Sequence, residues 1–134
     1  PQTMQQHTGY TDMMEEIMLY FASKVRELRL LGVNDIILDP GFGFSKTVDQ
    51  NYLLMNRLQE FGVFDLPLLV GISRKSMIYR FLGGTPADSL NGTTVLNAFA
   101  LMNGTDILRV HDVKAAVETV KIITKLKVED HVHP

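Results

Sequence analysis

An α/β fold of parallel strands alternating with helices is what this sequence predicts. Three observations carry it. Short apolar runs at about residues 35–39, 67–72 and 106–110 are each followed by a stretch of helical periodicity. Each run empties into charged or turn-forming residues: Asp39-Pro40-Gly41, Ser73-Arg74-Lys75 and His111-Asp112. Strand–helix alternation implies right-handed crossovers and a parallel sheet. The 134 residues amount to one domain.

In chain order, residues 1–10 read as loop. From Asp12 to Leu31 the apolar residues Met14, Ile17, Phe21, Val25, Leu28 and Leu31 recur every three or four positions, which is one helical face. Asp12 with Glu15 is a start signal and Gly32 a stop. The first strand follows, at 35–39. Thr47 and Gln50 make a capping-box pair. The stripe Tyr52, Met55, Leu58, Phe61 then predicts a helix ending at Gly62.

The run PLLVGI at 67–72 is continuous, as in a strand buried on both faces. Ser73 is a candidate cap for a short helix over 74–82. Thr85-Pro86 opens another, running to Gly104, because proline suits a first helical turn. Gly92 inside it costs about 1 kcal/mol relative to alanine, so close packing of another backbone is expected there. The third strand is 106–110. Asp112 is placed to cap a last helix with the face Val113, Ala116, Val117, Val120 and Ile123, and the polar tail KVEDHVHP is expected to fray.

Composition excludes several function classes. A net charge of −2 gives no basic footprint for nucleic acid. There are no cysteines, hence no disulfides or thiolate metal sites, which suits the cytoplasm. No apolar run approaches the roughly 18 residues of a membrane span. The polar start PQTMQQHTG carries no signal-peptide pattern and no initiator Met, as expected of a fragment or processed chain.

Ligands of parallel α/β folds bind at the C-terminal ends of strands, where Asp39, Lys75, Arg109 and His111 all fall. Asp39 either caps its own turn or accepts two N–H bonds from a planar heterocycle. Ser73-Arg74-Lys75-Ser76 is either a solvated basic turn or an anion site at a helix start. Arg109 and His111, two apart on a strand with Val110 between, point the same way. They either grip a phosphate or form a salt bridge with Asp112 or Asp39. Together these strand ends read as a pocket for an anionic group attached to a planar ring. The GFG turn is not a Walker loop, because its spacing to Lys46 and Thr47 is wrong. His7, His131 and His133 lie in polar ends and are expected to be solvent-exposed.

Strand centres at Leu38, Val70 and Arg109 lie about 32 and 39 residues apart. A (β/α)8 barrel averages roughly 31 residues per unit. The chain is therefore a small open sheet or the last part of such a barrel.

DPGFGFSK at 39–46, GISRKSMI at 71–78 and RVHDV at 109–113, in this order and at these separations, resemble the C-terminal half of the dihydropteroate synthase family. PQTMQ resembles that family's loop after the fifth barrel strand. The resemblance reaches to about residue 125. It implies the C-terminal part of a (β/α)8 TIM barrel, about three parallel strands with flanking helices, as a single partial pterin-binding domain over 1–134. It also implies a cytoplasmic transferase of folate biosynthesis that condenses 6-hydroxymethyl-7,8-dihydropterin diphosphate with p-aminobenzoate and is competed by sulfonamides.

By the same resemblance Asp39 holds the pterin's N–H edge, and Lys75 contacts the pterin oxygen and ring nitrogen. Ser76 meets the carboxylate of p-aminobenzoate and Phe44 lines its site. Arg109 stacks on the pterin and, with His111, binds the diphosphate. Gly71, Arg74 and Val110 complete the expected contact set, with Lys75, Arg109 and His111 as the catalytic group. Ser45 departs from the family's usual glycine. The family's N-terminal half, with its Mg²⁺-associated asparagine, has no counterpart here, so the chain alone is expected to be inactive and to expose sheet edges that drive self-association, as a homodimer or otherwise. The competing expectations are a non-catalytic pterin- or anion-binding domain and a methyltetrahydrofolate methyltransferase-type barrel; SRKS followed by RVHDV is not expected of the latter.

Overall fold

A computed structural model describes residues 11–43 and 45–132. Helix α1 spans Thr11–Leu30 and α2 spans Val48–Asn56, followed by a 3₁₀ segment at Leu58–Phe64. Strand β1 is Leu69–Val70 and α3 is Ser76–Leu82. A 3₁₀ turn at Pro86–Asp88 precedes α4, Leu90–Met102. Strand β2 is Ile107–Leu108 and α5 is Val113–Val132. The chain is mainly helical.

The strands β1 and β2 pair in parallel, Leu69 with Ile107 and Val70 with Leu108. Leu38 adds a parallel bridge to Leu68 on the other side. Its N–H donates to Pro67 O at 2.9 Å, and its carbonyl accepts from Leu69 N at 2.7 Å. The hydrogen-bonded strands are thus much shorter than the apolar runs that predicted them. A ladder needs a neighbour at every residue, and the segment around Leu38 has one on a single side. Asp106 clips the start of the pair by accepting from Leu68 N at 2.9 Å.

The core sits between the strands and the helices. Leu54, Leu58, Phe61, Val70, Ile72 and Ile78 are fully or almost fully buried. Burial of such a side chain contributes about 1.5–3 kcal/mol. Phe21 of α1 meets Phe61 edge-on at 5.6 Å between ring centres and closes this core. Among the described residues no helix is long and apolar enough to cross a membrane.

Several local expectations change. The Thr47–Gln50 capping box is present in both directions. The helix it opens stops at Asn56, however, and Gly62 lies inside the 3₁₀ segment, which ends at Asp65 in a left-handed conformation, φ 52°. The helix expected from Thr85 is broken: Thr85 and Asp88 cap only a 3₁₀ turn, and α4 begins at Leu90. Ser73 caps nothing; Lys75 is the N-cap of α3. Gly92 gives room to the Ile78 side chain of α3, not to a backbone.

The tail expected to fray continues as helix to Val132. Its predicted face is only partly covered: Ala116 and Ile123 are buried, whereas Val113, Val117 and Val120 are exposed. Leu31, assigned to the buried face of the first helix, is also exposed, because α1 has ended. The readings of residues 1–10, Phe44 and His133, and of the Asp12 and His131 side chains, lie outside the described residues.

Candidate functional site

The site is built from three loops, one after each parallel segment. The first is the turn 39–43. Asp39 Oδ1 accepts from Gly41 N at 3.0 Å, so the carboxylate does cap its own turn. Its other oxygen is used differently: Arg109 Nη1 lies 3.0 Å from Oδ2. Of the alternatives open in the sequence, turn cap and salt bridge therefore occur together. Both groups stay well exposed, so a ligand can still reach them.

Asn51 of α2 holds the far side of this turn. It is 2% exposed. Its Oδ1 accepts from Gly43 N at 3.2 Å, and its Nδ2 donates to Gly43 O and Thr47 O, both at 3.1 Å. Sequence reading missed Asn51. The available signal was an amide one residue before the apolar stripe that begins at Tyr52.

The second loop follows β1. Gly71 is buried, and a Cβ there would run into the Arg109 guanidinium. Glycine is required for Arg109 to lie where it does. Lys75 Nζ reaches across to donate to Phe42 O, and Lys46 Nζ donates to Gly41 O. Burial pushes the Lys75 ammonium below its ordinary 10.5; Arg109 acts the same way, Asp39 opposes, and Lys46 adds a smaller push downward. Lys46 is likewise lowered by burial, with Asp39 opposing. Three cations therefore share one carboxylate, which leaves an excess of positive charge for an anion.

A cavity of about 370 Å³ lies between these two loops. Phe42, Ser45, Arg74, Lys75, Ser76 and Tyr79 line it, together with Gly41 and Gly43. Tyr79 was not foreseen; it stands one turn after Ser76, on the same side of α3.

The third loop follows β2. The strand stops at Leu108, so strand alternation no longer dictates the directions of Arg109 and His111. Arg109 turns to Asp39. His111 is exposed in the next bend, and its backbone N–H donates to the buried Ser73 Oγ at 3.3 Å. Val110 is half-buried between them. Arg74 is not offered to the cavity as a free cation: its guanidinium is spent on Asp112 and on the Pro86 and Ala87 carbonyls. The Arg74 bond holds the Asp112 carboxyl below its ordinary 3.8, against some desolvation, with Arg74 and His111 charges assisting.

Among the described residues no three of His, Asp and Glu converge to hold a metal ion.

The pterin binding enzyme family matches residues 1–111. The chain belongs to this family. Within the pterin binding enzymes it is similar to dihydropteroate synthases. It is 43% identical to that of Escherichia coli K12 over 125 residues, 92% of this chain and 44% of that one. It is also 43% identical to that of Synechocystis sp. over 129 residues, 94% of this chain and 45% of that one.

Solved structures agree. Yersinia pestis dihydropteroate synthase with a pterine-sulfa conjugate superposes with a TM-score of 0.85 at 39% identity, covering 89% of this chain and 48% of that one. The Thermus thermophilus enzyme in complex with 6HMPPP gives 0.82 at 38%, covering 95% and 51%. The chain spans about half the length of the curated relatives it matches.

Proposed function

We propose that this chain is the C-terminal part of a dihydropteroate synthase (β/α)8 barrel, with Leu38, β1 and β2 marking three of its parallel strands. The observation that carries the reading is the meeting of Asp39, Lys75 and Arg109 from three separate strand ends around one turn. A carboxylate beside clustered cations suits a substrate with an N–H edge at one end and a diphosphate at the other. The likeness to a synthase in complex with 6HMPPP supports the same chemistry.

In this reading Asp39 exchanges Arg109 for the N–H edge of 6-hydroxymethyl-7,8-dihydropterin diphosphate. Lys75 contacts the ring oxygen and nitrogen; Arg109 and His111 take the diphosphate. Ser76 meets p-aminobenzoate, which sulfonamides would displace. The methylene C–O bond breaks, its electron pair leaves with diphosphate, and the arylamine nitrogen forms the new C–N bond and loses a proton. The residues act by positioning and by stabilising leaving-group charge. Magnesium, implied by the family resemblance, would be held by residues outside this chain, and the setting would be cytoplasmic.

Condensation of the pterin diphosphate with p-aminobenzoate tests this reading, run on the chain alone and after mixing with the N-terminal half of a relative. Turnover only in the mixture is expected. Pterin binding without turnover in either case would favour a non-catalytic pterin- or anion-binding domain.

A further inference from the structure

We infer that Arg74 and Asp112 are positioning residues that lock the two cation-bearing loops of the site into one body. The inference rests on the synthase reading of that site. Arg74 precedes Lys75, and Asp112 follows His111. The link is bidentate: Nε to Oδ2 and Nη2 to Oδ1, both at 3.0 Å. The third guanidinium nitrogen donates to Pro86 O at 2.8 Å and Ala87 O at 3.0 Å, which ties in the turn before α4. Each guanidinium nitrogen is therefore engaged, and a ligand would have to break this set to use Arg74.

The backbone is arranged around the same link. Arg74 takes a left-handed φ of 54°, rare for a side chain of this size. Its N–H donates to Thr93 Oγ1 at 3.0 Å, and that buried hydroxyl donates in turn to Ser89 O at 2.7 Å. Ser73 Oγ receives His111 N from the opposite loop. Residues 73–74 thus hold 111–112 by three hydrogen bonds. Lysine cannot reproduce the fork, because it is a point charge. Strained backbone persists where its surroundings over-determine it, and it clusters at functional sites.

The test is titration of the 134-residue chain with inorganic diphosphate, followed by amide NMR and hydrogen exchange. Arg74→Lys and Asp112→Asn should each weaken diphosphate about tenfold, the scale of a lost charged hydrogen bond. Amides 109–112 should exchange faster while α2 keeps its protection. Arg74→Gly accepts the left-handed φ without strain and covers the case in which the other variants fail to fold. Methylguanidinium at millimolar concentration should restore its diphosphate affinity.

Wild-type affinity and unchanged exchange in these variants would overturn the inference, as would a failure of methylguanidinium to rescue Arg74→Gly. If the parent chain itself ignores diphosphate, the exchange of amides 109–112 decides the clamp, and the synthase reading is judged separately by condensation after mixing with the N-terminal half.

Discussion

Arg109 Nη1 lies 3.0 Å from Asp39 Oδ2, joining the ends of the first and third parallel segments across 70 positions of sequence. The two side chains are 57% and 40% exposed. Ion pairs this open contribute only about 0–1 kcal/mol. The contact is therefore weak as a staple and inexpensive to exchange for a ligand.

Gly71→Ala separates the seat of Arg109 from the stability of the fold. The added methyl meets the flexible end of Arg109, not backbone. The melting temperature should hardly move. Affinity for inorganic diphosphate should fall, and the Arg109 side-chain NMR signals should shift. Unchanged affinity would show that Arg109 need not lie over Gly71 to bind.

Asp39→Asn removes the charge that both Arg109 and a pterin N–H edge would use. In a protein carrying both barrel halves, pterin binding should weaken by about 1–3 kcal/mol by calorimetry. Stability should change little, because the ion pair with Arg109 is open to solvent. Equal affinity would remove Asp39 from the pterin site.

Asn51→Ala strips three hydrogen bonds from a buried position and takes the acceptor from Gly43 N, while Gly43 O keeps its bond from Lys46 N at 3.2 Å. Unfolding by urea should register a loss of about 1–3 kcal/mol. A neutral result would mean that water replaces the amide.

The depressed Lys75 ammonium sets an alkaline limit. A lysine lowered in the folded state is charged at a cost to the fold, a cost present at neutral pH and relieved as pH rises through the folded value towards 10.5. Diphosphate affinity depends on that charge and should therefore decline below 10.5, earlier than an ordinary lysine would dictate. In Lys75→Arg, the decline should move to higher pH.

Self-association is expected of the isolated chain. Ile37 at the sheet edge is exposed, as are Val95 and Met102 on α4 and Val117 on α5. An apolar hollow of about 540 Å³ opens between α2 and α4 beside Val95 and Phe99. Surfaces of this kind mark interaction sites. Light scattering at dilute concentration should give a mass above that of one chain; a well-behaved monomer would count against the proposal.

Much of the site was legible because turn chemistry is local. Asp39 after an apolar run, Gly71 before a basic turn and Arg109 after the last run are neighbours of readable elements, and DPGFGFSK, GISRKSMI and RVHDV in series pointed to the family. The roles of Arg74, Asp112 and Ser73 were not legible. Arg74 was read with the ligand groups and Ser73 as a cap, yet both face the next loop, 38 residues on. Gly92 was read as room for another backbone, yet it is the Ile78 side chain that lies against it, a partner only packing decides.

By itself, the sequence determined that helices alternate with buried apolar segments, and which residues leave those segments at their C-terminal ends. Periodicity and turn residues act over a few positions, and they suffice for that. Only the tertiary structure decided which of those residues meet: Asp39 with Arg109, Arg74 with Asp112, Lys75 with the Phe42 carbonyl. Those pairings depend on register between parallel segments and on the short-range geometry of hydrogen bonds, and neither is written in the spacing of residues along the chain.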